Sequence, residues 1–383
     1  MENISRRLLL RCFPSFLPIV MDPFNAKPIP GDTSAVQCGQ LQSPILDALG
    51  RPLRDLRISV TDRCNFRCTY CMPKQVFGSG FQFIRHQDML SFEEIARLAS
   101  IFTSLGIAKV RLTGGEPLLR RHIERLVGYL ADIKCPDGSG LDLALTTNGS
   151  VLRQKAKALF DAGLKRITVS LDALDNDTYM KMNDVGFPVS IVLDAIEYAL
   201  AVGFSPVKVN AVIRKGYNED QILPLVAHFK GTPVILRFIE YMDAGTRSGW
   251  HTDQIVPSAR IIETIQSKYP IEPLEANYPG ETAERWRHTD GGGEIGVISS
   301  ITQPFCSACS RIRLSTDGKI YPCLFSTTGF DLRQLIRSGQ SDDTIRQAVM
   351  DYWHSRADRY SELRLKKEYR QDGQRIEMHY IGG

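Results

Sequence analysis

The 383-residue chain has no low-complexity tract, no obvious internal repeat and no strong excess of charge of either sign. A net charge of +4 gives no overall electrostatic footprint for nucleic acid, so an anionic ligand would need a local group of arginines and lysines. The chain also lacks an uninterrupted apolar run of the roughly 20 residues that a membrane-spanning helix requires. The composition is that of an ordinary enzyme, and the length predicts one large domain plus a smaller one.

The N-terminus predicts a leader rather than part of the fold. The segment MENISRRLLLRCFPSFLPIVM holds three arginines and has no acidic residue between Glu2 and Asp22, which is typical of organelle transit segments. Alternatives are a secretory signal, which the many unpaired thiols disfavour, or an extension without an address. We therefore expect residues 1–45 to be a disordered leader and the protein to lie in the mitochondrial matrix, with the cytoplasm as the alternative.

Short β-branched runs alternate with helical segments in the first two thirds of the chain, and Ser91 and Glu94 predict a capping box at one helix start. Six alternations indicate parallel βαβ units, and six units fit an open barrel better than the closed barrel of eight. The predicted strands are 56–62, 109–115, 141–149, 166–172, 207–213 and 234–242, and the predicted helices are 91–106, 118–132, 151–163, 189–203 and 218–230.

The pattern changes near residue 245 to short strands joined by glycine-rich turns. The predicted fold is therefore α/β, with a partial (β/α)6 barrel over residues 46–245. A smaller α+β domain over residues 246–383 follows it.

Polar groups stand at the ends of the predicted strands. A cysteine triplet follows the first strand, and GGEP, TTNG, SLD and EYMD end the second, third, fourth and sixth, while Asn210 lies on the fifth. Because the carboxyl ends of parallel strands share one edge, we expect these groups and the strand cations to converge on one mouth. Asn148, Asp172 and Glu240 belong to this set, but the sequence gives them no role.

The first cysteine triplet is Cys64, Cys68 and Cys71, all in one loop. Clustered thiols in a long chain indicate metal ligation in a reducing compartment. Three thiolates on a cubane iron–sulfur cluster leave one iron open to a small chelating molecule. The alternative is a zinc knuckle completed by His86 or His122, although zinc sites usually pair cysteines as two Cys-x-x-Cys arms. The spacing therefore favours a cluster.

The second triplet, Cys306, Cys309 and Cys323, again offers three ligands, with a zinc ribbon as the alternative. Arg311 and Arg313 follow it, two apart on a predicted strand, so both guanidinium groups face the same side. Such a pair beside a metal is suited to a phosphate or a planar base. No function is predicted for the remaining cysteines, Cys12, Cys38 and Cys135.

The stretch CNFRCTYC, followed by GGEP after the next strand, resembles the radical S-adenosylmethionine (SAM) superfamily. More narrowly, the chain is similar from about Leu56 to its C-terminus to the GTP 3′,8-cyclase family, which opens molybdenum-cofactor biosynthesis. The segments that carry this resemblance are LRISVTDRCN, RLTGGEPLLR, LTTNG, VSLDAL, VKVNAVI, RFIEYMD, FCSACSRIRLSTDGK and the terminal IGG.

The resemblance implies two [4Fe–4S] clusters, one on each cysteine triplet, and SAM on the open iron of the first. It implies SAM contacts at Tyr70, Gly115, Ser170 and Met242. It implies GTP contacts at Arg57, Arg111, Thr146, Lys208, Arg311 and Arg313, and catalytic roles for Arg311, Arg313, Gly382 and Gly383. Inward-facing cations on strands are costly unless they meet anions, and a triphosphate would supply those charges.

The implied reaction removes hydrogen from C3′ of GTP and joins C3′ to C8 of guanine, giving 3′,8-cyclo-7,8-dihydro-GTP. The implied partners are an electron donor of unknown identity, cyclic pyranopterin monophosphate synthase as the next pathway enzyme, and a second copy of the chain in a homodimer. Two alternatives stay open. One is a radical SAM maturase acting on a peptide, although such enzymes usually carry a more cysteine-rich C-terminal region. The other is a non-catalytic iron–sulfur or zinc protein.

Overall fold

The structure is a computed structural model that describes residues 44–244, 249–364 and 375–382. The predictions for Cys12, Cys38, Gly383 and nearly all of the leader lie outside these residues. Within the described ranges, none of the helices combines the length and the apolar character needed to cross a membrane.

Twelve strands form one sheet in the described part of the chain. They are Asp55–Ser59 (β1), Lys109–Thr113 (β2), Asp142–Thr147 (β3), Arg166–Ser170 (β4), Val207–Ile213 (β5), Val234–Glu240 (β6), Ile271–Leu274 (β7), Glu284–His288 (β8), Glu294–Ile298 (β9), Arg311–Leu314 (β10), Lys319–Tyr321 (β11) and Phe330–Asp331 (β12).

The α-helices of the same ranges are Phe92–Ser104 (α1), Ile123–Ala131 (α2), Leu152–Asp161 (α3), Asn176–Asn183 (α4), Val189–Val202 (α5), Ile222–Phe229 (α6), Ser258–Gln266 (α7), Leu332–Arg337 (α8), Asp342–His354 (α9), Tyr360–Leu363 (α10) and Met378–Ile381 (α11).

Strands β1 to β6 lie side by side in chain order and are all parallel. All six predicted strands and all five predicted helices are present within a few residues, and the capping box at Ser91 and Glu94 is confirmed. Helix α4 was not predicted. Its short amphipathic pattern is weak, and Asp175 caps it by accepting from the Thr178 amide.

The sheet continues at both sides into the C-terminal part of the chain. Strand β10 pairs parallel with β1, and β9 pairs parallel with β6. Antiparallel pairing then adds β11 and β12 on one side and β8 and β7 on the other. The outermost strands β12 and β7 do not pair with each other, so the described sheet is open, which confirms the predicted partial barrel. The boundary at residue 245 stays a prediction.

Side-chain alternation decides which residues face the inside of the barrel. On β5 every second residue is fully buried, from Val207 to Ile213, because these side chains pack under the helices. Lys208 and Asn210 occupy the opposite, partly exposed face. The polar strand residues thus line the concave side of the sheet.

Candidate active site

Four arginines lie at one level across neighbouring strands. Arg313 pairs in register with Arg57, Arg57 pairs with Arg111, and Ala144 stands between Arg111 and Arg166. We call these four arginines the arginine row. Like charges opposite one another destabilise a sheet. The row therefore needs an anion that the strands themselves do not supply in full.

The arginine row belongs to one cavity. Every predicted GTP contact lines it, as do Met242 and the three cysteines of the second triplet. Five further cations line the same cavity and were missed from the sequence: Arg51, Lys109, Arg166, Arg237 and Arg356. Asp55, Glu281 and Asp358 are its carboxylates, so cations greatly outnumber anions.

This excess of positive charge changes the pKa values of the cavity residues. Burial, together with Arg313 and Arg311, lowers the pKa of Arg57 well below its usual range. Burial and then Arg111 lower the pKa of Arg237 to about 9. Burial and then the surrounding cations lower the pKa of Lys208 to about 7. Each shift has the direction that burial and neighbouring cations produce, as expected for a polyanion site.

Neutral oxygens orient several of these cations without cancelling their charge. Arg111 Nη1 donates to Thr146 Oγ1 and to Thr168 Oγ1, at 3.1 Å each. Arg237 Nε donates to Asn210 Oδ1 at 3.0 Å. Arg166 differs, because its Nη1 lies 2.9 Å from an Asp142 carboxylate oxygen. Thr146 therefore holds a guanidinium group in this structure.

The first cysteine loop is folded around Arg67. Its guanidinium group donates to the carbonyl oxygens of Cys64 at 2.8 Å, Phe66 at 2.7 Å and Phe77 at 2.7 Å. Burial raises the pKa of the Cys64 thiol to about 12. Burial, then Asp172, Cys64 and Cys71, raise the pKa of the Cys68 thiol. Raised pKa values favour the protonated thiols, whereas a bound metal centre would favour the thiolates, which are its ligands.

The two histidines of the zinc alternative have other surroundings in the structure. Among the described residues, no three His, Cys, Asp or Glu side chains are grouped so as to hold a single metal ion. His86 is exposed. His122 lies at the start of α2, outside the cysteine loop, and its Nδ1 is 3.4 Å from a Glu124 carboxylate oxygen. A cubane cluster has a different requirement, because its thiolates bind separate irons.

The two glycines of GGEP lie against the backbone of the first cysteine loop. A Cβ on Gly114 would come within 2.4 Å of the Thr61 carbonyl oxygen, and one on Gly115 within 2.3 Å of the Arg63 carbonyl oxygen. The Gly115 amide donates to Thr61 O at 2.7 Å, and the Glu116 amide donates to Arg63 O at 2.8 Å. The turn after β2 therefore fixes the start of the cysteine loop, which accounts for both glycines.

Buried carboxylates complete this end of the barrel. Glu116 accepts from the Thr147 hydroxyl and the Asn148 amide, both at 2.7 Å, and burial raises its pKa to about 7. Asp172 accepts from the Tyr70 hydroxyl at 2.8 Å and from the Val212 amide at 2.9 Å. The sequence singled out Asp172 without a role and missed Glu116, although the latter belongs to GGEP.

Two other strand-end residues have clear contacts. Asn148 Nδ2 lies 3.8 Å from Cys64 Sγ and donates to Asn65 Oδ1 at 2.9 Å. The fully buried Glu240 accepts from the backbone amides of Ser258 at 2.8 Å and Ile301 at 2.7 Å, and so fixes the C-terminal segments to β6. Ser170, the predicted SAM contact, pairs in register with Asn210 at the end of β4.

The second cysteine loop lies at the other end of the barrel. Cys309 stands just before β10, whereas Cys64 follows the end of β1, and these two strands are parallel neighbours. The second triplet therefore lies near the amino ends of the strands, away from the mouth where the polar strand-end groups meet. Strand β10 does not belong to the six βα units, but it pairs parallel with β1. The loop that precedes β10 therefore lies at the amino ends of the strands. Cys135 belongs to neither loop and is buried.

Cationic side chains contact the second loop. Arg311 donates to Cys309 Sγ at 3.4 Å, and Arg356 Nη2 donates to the same sulfur at 3.2 Å. Burial alone would raise the pKa of the Cys309 thiol, but these two arginines outweigh it and lower the pKa to about 6. Arg313 differs, because its guanidinium group donates to the carbonyl oxygen of Gly382.

The C-terminal tail reaches the carboxyl ends of β1 and β2. Gly382 has φ +70°, and a Cβ there would come within 1.9 Å of Thr113 Oγ1. The His379 ring packs edge-on against Phe77 with 4.7 Å between ring centroids. The tail therefore joins Arg313 of the arginine row to the first cysteine loop.

Comparisons with known proteins agree with this architecture. A radical SAM superfamily model matches residues 58–229, and a Molybdenum Cofactor Synthesis C model matches residues 234–362. SuiB of Streptococcus suis, solved with S-adenosylmethionine, has a similar fold, with a TM-score of 0.57 and 15% identity over 82% of this chain and 68% of that one.

Curated relatives are much more similar in sequence. A GTP 3′,8-cyclase of Acidothermus cellulolyticus is 49% identical over 366 residues, covering 90% of this chain and 100% of the relative. One of Staphylococcus haemolyticus is 47% identical over 341 residues, covering 88% and 99%. These relatives are bacterial and lend no support to the mitochondrial prediction, which depends on the leader alone. At this identity and coverage, the chain belongs to the GTP 3′,8-cyclase family of radical SAM enzymes.

Proposed function

We propose that this protein is a GTP 3′,8-cyclase that catalyses the first step of molybdenum-cofactor biosynthesis. It would convert GTP to 3′,8-cyclo-7,8-dihydro-GTP by removal of hydrogen from C3′ and bond formation between C3′ and C8. The observation that carries this proposal is the arginine row, which lies in a cavity that the second cysteine triplet also lines, while the first triplet follows the carboxyl end of β1. A triphosphate matches the uncompensated charge of the row.

The first cysteine loop fits an iron–sulfur cluster and SAM. Cys64, Cys68 and Cys71 are free thiols that influence one another's pKa, and the tight Gly114–Gly115 turn fixes their loop. They would hold one [4Fe–4S] cluster. When bound and reduced, such a cluster would supply the electron for reductive cleavage of SAM. Residues that would contact SAM are Tyr70, Gly115, Ser170 and Met242.

The second loop would hold a second [4Fe–4S] cluster on Cys306, Cys309 and Cys323. The donor set supports this assignment: all three are free thiols that line the cavity, and two arginines hydrogen-bond the sulfur of Cys309. Since the loop lies at the opposite end of the barrel from the first, GTP would lie between the two, with its guanine end toward the second.

The residues of this chain bind and orient the substrate. Arg57 and Arg111 would hold the triphosphate, with Lys208 on the neighbouring inner face, because burial and neighbouring cations disfavour their charged forms and a bound polyanion would offset this cost. Arg311 and Arg313 would act at the guanine end. Thr146 would act through the Arg111 guanidinium group that it accepts from, as well as on GTP itself.

The tail would limit access of water to the reacting carbons. Gly382 lies against Thr113 and accepts from Arg313, so the tail closes part of the barrel beside the arginine row. We assign Gly382 and Gly383 to catalysis in this sense, together with Arg311 and Arg313. The division into a barrel domain and an auxiliary-cluster domain at residue 245 is part of the same proposal.

The product would pass to cyclic pyranopterin monophosphate synthase, a separate chain. An electron donor and a homodimer complete the proposed set of partners.

The test is an anaerobic incubation of the cluster-loaded protein with SAM, dithionite and GTP, followed by mass-resolved chromatography. We expect 5′-deoxyadenosine together with an isomer of GTP. Arg57→Met should abolish the isomer while SAM cleavage continues, whereas Arg153→Met should change nothing, because Arg153 is exposed and pairs with Asp194 on the outer helices. Deoxyadenosine with untouched GTP would favour a peptide substrate. Bound iron without SAM cleavage would favour a non-catalytic protein.

A further inference from the structure

A buried ion cluster lies beside the second cysteine loop and has no part in the reaction described above. Asp47 lies in the turn that precedes β1, and it pairs with Arg51 at 2.6 Å and with Arg356 at 3.0 Å. The side chains of Asp47, Arg51 and Arg356 are 0%, 2% and 1% exposed. Two guanidinium groups share one fully buried carboxylate, and the carboxyl group of Asp358 lines the same cavity as both arginines.

This ion cluster contacts both cysteines of the Cys306–Cys309 turn. Arg51 Nη1 donates to the Cys306 carbonyl oxygen at 2.9 Å and to the Asp358 carbonyl oxygen at 2.8 Å. Arg356 Nη1 donates to the Cys309 carbonyl oxygen at 2.8 Å, and its Nη2 donates to Cys309 Sγ at 3.2 Å. The loop is therefore held by charged donors rather than by packing alone.

A purely structural anchor does not account for the contact with sulfur. The carbonyl contacts already fix the loop, and burying two guanidinium groups beside one carboxylate costs free energy. A cation and an N–H donor at a cluster ligand have a further effect, because they stabilise the reduced, more negative cluster relative to the oxidised one. Hydrogen bonds to sulfur and local charge are established determinants of iron–sulfur reduction potentials.

We propose that Arg356, oriented by Asp47, is a positioning residue that raises the reduction potential of the cluster on Cys306, Cys309 and Cys323. The proposal rests on the proposed function, because it requires the second cluster to be present. It concerns the one-electron couple of that cluster. It assigns a role to the Asp47–Arg51 turn, which precedes the matched radical SAM segment.

The test uses the full chain with Cys64→Ala, Cys68→Ala and Cys71→Ala, so that only the second loop can hold a cluster. After reconstitution with iron and sulfide, the midpoint potential is measured by electron paramagnetic resonance during a redox titration. Arg356→Met should shift the midpoint to a more negative potential at unchanged iron content. Arg356→Lys keeps the charge and should shift it less. Asp47→Asn removes a negative charge beside Arg356, so any shift that it causes should be less negative than that of Arg356→Met.

The matched control is Arg97→Met, since Arg97 is a surface arginine paired with Asp342 at 2.7 Å, away from the cysteines; it should leave the midpoint unchanged. An unchanged midpoint in Arg356→Met at full iron content would overturn the proposal. Loss of iron from all three variants would also overturn it, since the ion cluster would then be only a scaffold. If the background chain itself binds no cluster, the second-cluster part of the proposed function fails, and this inference fails with it.

Discussion

Lys208 offers a test of the arginine-rich cavity in which stability and binding change in opposite directions. Its pKa falls from an ordinary value of 10.5 to about 7, chiefly because of burial and then because of Arg237 and other cations. One pH unit corresponds to about 1.4 kcal/mol, so the charged form of Lys208 is disfavoured in the folded protein by about 5 kcal/mol, to order of magnitude. Lys208→Met removes this cost and keeps most of the side-chain volume.

We therefore expect Lys208→Met to raise the free energy of unfolding by about 1–4 kcal/mol without GTP, as when other poorly compensated buried charges are replaced by apolar groups. The same substitution should reduce the additional thermal stabilisation that GTP gives, because an anion contact is lost. Lys157→Met is the control, since Lys157 pairs with Asp161 on the exposed face of α3 and should change stability by no more than about 0.5 kcal/mol.

The stability gained from Lys208→Met depends on pH in a definite direction. The folded-state pKa of Lys208 lies below the unfolded-state value, so the unfolded chain binds more protons between pH 7 and 10.5. The cost is complete below pH 7 and disappears as the pH rises through 10.5. The gain in melting temperature from Lys208→Met should therefore shrink steadily across this range in anaerobic calorimetry. Two results would refute the assignment of Lys208 to a GTP-binding site with excess positive charge. One is a Lys208→Met variant that is less stable than the parent at pH 7, and the other is a variant that GTP stabilises as much as it stabilises the parent.

Three further substitutions address other parts of the site. Gly115→Ala should abolish SAM cleavage, measured as 5′-deoxyadenosine, because its Cβ would displace the Arg63 carbonyl that lies 2.3 Å away; GTP binding by calorimetry should persist. Gly382→Ala should lower the amount of cyclised product at least tenfold at unchanged iron content. The left-handed backbone costs a residue with a side chain about 1–2 kcal/mol, and Thr113 occupies the space of the added Cβ. An undiminished amount of product would show that the tail is not needed. Asp243→Asn should destabilise the protein by about 3–5 kcal/mol in thermal melts, because it leaves the buried Arg364 guanidinium without its carboxylate; exposed Asp194→Asn should cost less than about 1 kcal/mol.

The periodic part of the fold was predictable from the sequence. Alternating apolar residues and the turns between them gave all six parallel strands and their helices, because each βαβ unit is a local pattern. The cysteine spacing and Gly114–Gly115 likewise gave the first loop, since one short segment contains most of its chemistry.

Other features depend on pairing between distant segments, and the sequence could not supply them. Arg166 and Arg237 enter the cavity because of the strand register, and no local motif marks either residue. The location of the second cysteine loop follows from the pairing of β10 with β1, which depends on tertiary structure. Asp47 was assigned to the first domain, but its contacts with Arg356 became evident only in the folded chain.

The pairing of β1 with β10 also has a consequence for synthesis. Strand β1 gains β2 as a neighbour early, but its other side is covered by a strand that lies roughly 250 residues later in the chain. During translation the barrel therefore has an unprotected edge of main-chain donors and acceptors, a known starting point for aggregation. Until β10 has been made, the inner face of the barrel is also accessible beside β1. Topology therefore sets an order of events, because β2 covers one side of β1 well before β10 covers the other.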